Sequence, residues 1–243
     1  QEIAWNYPKE FFEPTVHAAP RPRPDRDRLA EAARLLNAAK RPLIICGGGV
    51  HYSGAEKALA DFAEKRGIPL AETIAGKGAV THNPPAHVGP MGIVGSSSAN
   101  ALASEADLIL AVGTRLMDFT TGSWSAFAPD ARFVSINAAR WDATKHRALP
   151  VVSDALEGVT ELDAALGDWK ADKGWTAKGV AEFAKWNALL DDIQKPTNDP
   201  VPTYAQVVGV VNARAGERDR LITAACGLPG EVMKNWRVKE PNT

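Results

Sequence analysis

The sequence predicts an α/β fold: an open parallel sheet with helices on both faces, followed by the first β-turn-α of a second α/β domain. Three observations carry this. Short apolar runs recur, Leu43 to Cys46 and Asp107 to Gly113 foremost, and their lack of alternation suits strands covered on both faces. Each of these runs gives way to glycine at its end. Amphipathic helical stretches separate the runs, and strand, tight turn, helix, strand is a βαβ unit.

Residues 1–22, with Trp5, Tyr7, Phe11 and Phe12 among prolines, hold no lasting periodicity and predict a linker whose aromatics dock on something else. The run Arg21, Arg23, Arg26, Arg28 is diluted by prolines and aspartates and reads as solvated linker. Asp25 starts a helix to about Ala39 with Leu29, Ala33, Leu35 and Leu36 as its stripe. Leu43 to Cys46 is the first strand. Gly47, Gly48 and Gly49 end it, because residues without Cβ let the backbone turn and let another group approach closely. Ser53 or Gly54 then opens a helix carrying Ala55, Ala58, Leu59 and Phe62 on one face, with Lys65 and Arg66 at its negative end and Gly67 as its stop.

Pro69 to Thr73 make the second strand. The stretch from Ala75 to Gly95 is too long for a simple connection and is a candidate binding loop. Its glycines, Gly89, Gly92 and Gly95, feed Ser96, Ser97 and Ser98, an N-cap for a helix from about Ala99 to Ser104. That corner is either an anion seat or a tight packing corner. Asp107 to Gly113, Arg132 to Asn137 and Pro150 to Val152 complete five strands, and Asp154 caps a helix with Leu156, Val159, Leu162 and Leu166. In such sheets ligands bind outside the C-terminal ends of the strands. Residues 23–167 therefore form the first domain, 168–200 a linker with a helix near Val180 to Ile193, and 201–243 an incomplete second domain. In the last, Tyr204 to Asn212 reads as helix, Arg220 to Ala225 as strand, and CGLPGEVMKNW as a glycine turn into a helix.

A formal net charge of -1 on 243 residues argues against a nucleic-acid or anionic-membrane partner. No apolar run approaches the roughly 20 residues of a membrane span, and no signal peptide is visible, which predicts a cytoplasmic protein. Cys46 and Cys226 show no metal-ligand spacing and read as buried thiols. A start at Gln1 and an end at PNT suggest a piece of a longer chain.

GGGVHYSG spaces Gly49 and Gly54 as in a phosphate-binding P-loop, but Ala55 and Glu56 stand where Lys and Ser/Thr are needed, and Tyr52 takes the last glycine's place in G-x-G-x-x-G. A strand-to-helix turn is the simpler reading. His17, His51, His82, His87 and His146 are scattered, so no metal is assigned. No serine sits in a G-x-S-x-G elbow. Lys77, between two glycines, reads as an ordinary surface lysine rather than an anion ligand, and Arg115 with Asp118 as a local ion pair rather than a site.

The order of segments adds what the single motifs lack. RPLIICGGG, PLAETIAGKGAV, HVGPMGIVGSSSAN, ADLILAVGTRLMDFTTGSW, RFVSINAARWDATKH and VVSDA together resemble the Rossmann-like middle domain of thiamine diphosphate (ThDP) enzymes of the acetohydroxyacid synthase type, over about Arg23 to Leu166. TYAQVVGVVN and RLITAACGLPGEVMKNW resemble the start of that family's diphosphate-binding domain. GGGVHYSGAE, ETIAGKGA, DFTTGSW and AACGLPGE are most similar to its trihydroxycyclohexane-dione hydrolase branch, of inositol catabolism. The resemblance implies ThDP and Mg²⁺ as cofactors, a small-molecule substrate, opening of a cyclic 1,2-dione to 5-deoxyglucuronate, and a homodimer or homotetramer. It places Cys226, Gly227, Leu228, Pro229 and Gly230 at the diphosphate. It also implies that the activating glutamate precedes Gln1 and the Mg²⁺ element follows Thr243, so the chain alone is expected to be inactive, with no catalytic residue of its own. Some relatives hold FAD or ADP in the middle domain. Here Asn137 replaces the acidic residue that ends the fifth strand, which makes FAD unexpected and leaves Gly47, Gly48, Gly49, Gly92 and Arg115 lining an empty or vestigial nucleotide site. The alternatives are another acetohydroxyacid synthase-like enzyme, or a free-standing nucleotide-binding or scaffold domain.

Overall fold

The structure, a computed structural model, describes residues 5–81, 86–197, 200–224 and 227–242. Six parallel strands form one sheet: β1 (Pro42–Cys46), β2 (Leu70–Glu72), β3 (His87–Pro90), β4 (Leu108–Val112), β5 (Arg132–Asn137) and β6 (Leu149–Val152), in the spatial order β3-β2-β1-β4-β5-β6. β1 is central, with Ile44 opposite both Leu70 and Leu110.

Alternate residues of each strand go to opposite faces, and both faces are dry. Ile44, Leu110, Val134 and Val151 pack with Leu36 of α1 (Arg26–Ala38), with Leu59 and Phe62 of α3 (Glu56–Arg66), and with Val159 and Leu162 of α7 (Ala155–Ala165). Leu43, Ile45, Ile109 and Ala111 pack with Ala99, Leu102 and Ala103 of α4 (Ser97–Glu105) and with Trp175 of α8 (Lys173–Ile193), whose indole Nε1 donates to the Pro42 carbonyl. The side chains of Asp25, Ser96, Asp154 and Asp172 accept from the first free N–H groups of α1, α4, α7 and α8.

The expected five strands are six. β3 lies inside the stretch read as a binding loop, where a four-residue strand containing Gly89 and Pro90 has little intrinsic strand character. Pairing with β2 and the hydroxyl of Ser98, donating to the Val88 carbonyl, fix it instead. The helix expected to open at Ser53 or Gly54 is α3, which opens at Glu56; a short helix not expected from the sequence, α2 (Gly49–Ser53), precedes it and is ended by Gly54, left-handed at φ 63°. α8 begins well before Val180, at Lys173, capped by Asp172. No strand forms over 220–224, where Ile222 is exposed and no described strand lies alongside; Ala225 lies outside the described residues. Arg21 and Arg23 are not simply solvated: Arg21 donates to the Ser53 carbonyl and pairs with Asp154, and Arg23 pairs with Glu157 and Glu161. Tyr7, Phe11 and Phe12 meet one another in tilted and edge-on contacts and remain exposed.

After α8 come two helices, α9 (Tyr204–Arg214), with a Thr203–Gln206 capping box, and α10 (Gly227–Asn235). Val208, Trp236 and Val238 join them in a small apolar cluster. Two short helices, α5 (Asp118–Thr121) and α6 (Arg140–Ala143), follow β4 and β5 at the sheet's C-terminal edge.

Candidate functional site

The strand order reverses between β1 and β4, the place in an open parallel sheet where ligands commonly bind. Gly47, Gly48 and Gly49 sit at this point, with Arg115 close by on the β4 loop. The β1 turn is clamped by its neighbours: Gly47 N–H donates to the Val112 carbonyl and Gly49 N–H to the Gly113 carbonyl. A Cβ on Gly47 would lie 2.5 Å from the Gly113 oxygen, and one on Gly49 2.7 Å from the Gly113 Cα. Gly92 is pressed in the same way against the Phe119 carbonyl. These glycines are needed by the chain's own backbone packing.

The Arg115 side chain is largely exposed. Its Nε lies 3.7 Å from Asp142, to which Lys145 also binds at 2.7 Å. The expected pair with Asp118 is therefore replaced by one with Asp142, because the β5–β6 connection reaches across to β4. Asn137, at the end of β5, donates from Nδ2 to the Thr114 carbonyl and accepts from Ala139 N–H, so its amide is consumed in joining two loops. Non-glycine residues with positive φ gather nearby, at Leu116, Ser123, Trp124, His146 and Arg147. Trp124 and His146 stack face to face, and burial, with the Lys145 ammonium beside it, lowers the His146 pKa against the opposing pull of Asp118.

Lys77 is not a surface lysine. Its ammonium bonds Glu72 Oε1 at 2.8 Å, and Glu72, at the end of β2, is 2% exposed. His87 of β3 brings Nε2 to 3.7 Å from the other carboxylate oxygen and meets Phe183 of α8 edge-on. Burial alone would raise the Glu72 pKa; the Lys77 ammonium and His87 outweigh it and hold the carboxyl at about 2. Cys46, opposite Glu72 in the sheet, is a free buried thiol whose pKa is pushed far up by burial and by the carboxylates of Glu72 and Glu56. Sequence reasoning missed this cluster. The available signal was a carboxylate ending an otherwise apolar buried strand, which requires a cation partner.

Gly227, Leu228, Pro229 and Gly230 form the first turn of α10; Cys226 and His82 lie outside the described residues. This turn borders the loop after β3, with a Cβ on Gly230 falling 3.4 Å from Val94. A Cβ on Gly227 would meet nothing nearer than Tyr204 at 3.6 Å. The chain itself therefore does not demand glycine at these two positions, unlike Gly47, Gly49 and Gly92. A first helical turn with glycine at two of its four positions lets an anion approach its free N–H groups, which suits the diphosphate end of ThDP. Among the described residues, no three His, Cys, Asp or Glu side chains converge to hold a metal.

Comparison with known proteins agrees with the fold of the sheet domain. The family described as "Thiamine pyrophosphate enzyme, central domain" matches residues 29–162. The 3D-(3,5/4)-trihydroxycyclohexane-1,2-dione hydrolase of Geobacillus thermodenitrificans (strain NG80-2) is 34% identical over 264 aligned positions, covering 100% of this chain and 41% of the relative. A second protein of that name from Bacillus cereus (strain AH820) is 33% identical, covering 100% of this chain and 42% of its own length, and one from Bacillus anthracis (strain CDC 684 / NRRL 3495) is 33% identical at the same coverage. The chain thus spans about two-fifths of the curated relatives it matches. With the 3-2-1-4-5-6 parallel sheet built around β1 and a family match over more than half of its residues, the chain belongs to the thiamine pyrophosphate enzyme central-domain family.

Proposed function

We propose that the protein carrying this chain is a ThDP- and Mg²⁺-dependent hydrolase that opens the ring of a trihydroxycyclohexane-1,2-dione in inositol catabolism, acting in the cytoplasm as a homo-oligomer. The observation that carries this reading is similarity to proteins named for that reaction along the whole chain, α9 and α10 included, and not over the sheet domain alone.

ThDP, when bound, supplies the electron sink for breaking a carbon–carbon bond next to a carbonyl. This chain's part is to hold and orient. The backbone N–H groups of Gly227, Leu228 and Gly230 would receive the diphosphate. α10 is held in place for this by Gln194, which donates to the Asn235 carbonyl at 2.7 Å, and by Asn212, which accepts from Arg237 N–H and donates to the Arg237 carbonyl. The sheet domain is a rigid spacer, and its β1 turn with Gly92 and Arg115 holds no FAD.

The test is to purify the protein, remove and restore ThDP and Mg²⁺, and follow conversion of the dione to 5-deoxyglucuronate by mass spectrometry. Ring opening that needs both cofactors is expected. Condensation of 2-oxo acids without ring opening would assign the protein to another acetohydroxyacid synthase-like branch. Indifference to ThDP would refute the enzymatic reading and leave a scaffold domain.

A further inference from the structure

The extended segment after α10 crosses back to the sheet's C-terminal edge and ends in a polar knot. Asn242 N–H donates to the Gly78 carbonyl at 2.9 Å, and its side chain meets both His51 of α2 and Glu56 of α3. Asn242 Nδ2 donates to Glu56 Oε1 at 3.1 Å, so the atom it turns towards His51 is Oδ1, 2.6 Å from the ring Nδ1. The other ring nitrogen, Nε2, lies 3.2 Å from the Lys77 carbonyl. Both imidazole nitrogens thus face oxygen acceptors. A neutral ring has a single N–H and satisfies one of them; the imidazolium satisfies both.

Glu56 Oε1 stands 3.5 Å from Nδ1 and offers the countercharge. Among the described residues no competing cation enters, since the Lys77 ammonium is engaged by Glu72 and only its carbonyl faces the ring. Glu56 also faces the buried thiol of Cys46 on β1, whose ionisation it opposes together with Glu72.

We propose that His51 in its protonated form is a clasp fastening the segment Arg237–Asn242 to the β1 turn and to the loop carrying Lys77 and Gly78. Loss of the proton leaves one ring nitrogen opposite an acceptor and loosens the segment. The clasp requires no bound cofactor and stands apart from the proposed reaction.

Hydrogen exchange read by mass spectrometry on peptides covering 237–242 and 74–81 tests it, from pH about 5.5 to about 8.5, across the imidazole range. Rates are normalised to unstructured peptides of the same sequence. Protection of both peptides is expected to fall roughly tenfold as pH rises, the worth of one charge-assisted hydrogen bond. In His51→Gln it should be low and flat with pH. Asn242→Ala, a change that spares the sheet, should likewise flatten the 74–81 peptide, while peptides 42–46 and 108–112 stay fully protected in both variants. Wild-type protection that ignores pH, or a pH dependence that survives His51→Gln or Asn242→Ala, overturns the clasp.

Discussion

Replacing Lys77 by methionine separates a structural ion pair from a solvated side chain. The two residues have similar volume, so packing changes little, and the consequence falls on Glu72. That carboxylate is 2% exposed and would be left with the His87 ring, 3.7 Å away, in place of an ammonium. A carboxyl held at about 2 instead of 4.5 contributes about 3 kcal/mol at neutral pH. Removing one member of a buried pair costs about 3–5 kcal/mol, because the survivor must be neutralised or stay uncompensated. In a domain of this size that lowers the melting temperature by roughly 10 °C. Because Glu72 is depressed in the folded protein, its contribution is complete above the unfolded carboxyl pKa and disappears as pH falls from about 4.5 to about 2. The gap between wild type and Lys77→Met should therefore be widest at neutral pH and close on acidification. Urea unfolding at several pH values, with unchanged slope, measures it. Glu72→Gln in the Lys77→Met background should recover a large part of the loss. A loss below about 1 kcal/mol at pH 7, as expected for an exposed lysine, would refute the reasoning.

Further predictions rest on independent contacts. Arg66→Met should cost about 3 kcal/mol by urea midpoint, since the guanidinium, 1% exposed, serves Asp163 and the carbonyls of Asp163, Gly167 and Trp169. Gly47→Ala should destabilise by about 2 kcal/mol through overlap with Gly113 and Thr114. Gly227→Ala should leave stability equal or raise it by up to about 1 kcal/mol, as alanine favours the helix, while weakening ThDP binding measured by calorimetry; retained affinity would remove this turn from the proposed cofactor site. Saturating FAD should leave flavin fluorescence unchanged on adding the protein, and a tight complex would overturn the reading of the β1 turn.

The parts of the fold legible in the sequence are those in which local pattern and tertiary position agree. LIIC and LILAV are apolar without alternation because both faces of a parallel sheet are covered, and Asp25 and Asp154 announce their helices because an N-cap acts within three residues. β3 was not legible: HVGP becomes a strand through β2 beside it and α8 over it, and none of that is local. The Glu72–Lys77–His87 cluster was hidden for the same reason. Its members are five and ten residues apart, and the β2–β3 pairing, with His87 opposite Leu70, is what brings the imidazole within reach of Glu72. His51 and Asn242 meet across almost the whole chain.

Glycine carries opposite meanings at the two turns that the sequence singled out. At Gly47 and Gly49 the missing Cβ is space already filled by Gly113 and Thr114, so the β1 and β4 loops lock together at the point where the strand order reverses. Asn137 strengthens this lock by donating from Nδ2 to the Thr114 carbonyl, a bond that an acceptor-only carboxylate in its place could not make. At Gly227 and Gly230 the nearest atoms of the chain stand at ordinary contact distance, and the reason for glycine must come from something outside these elements. A glycine-rich turn therefore points to a ligand only where a Cβ built on it would clear the chain's own atoms, and by that criterion the stronger candidate for a cofactor turn is α10 rather than the sheet's switch point.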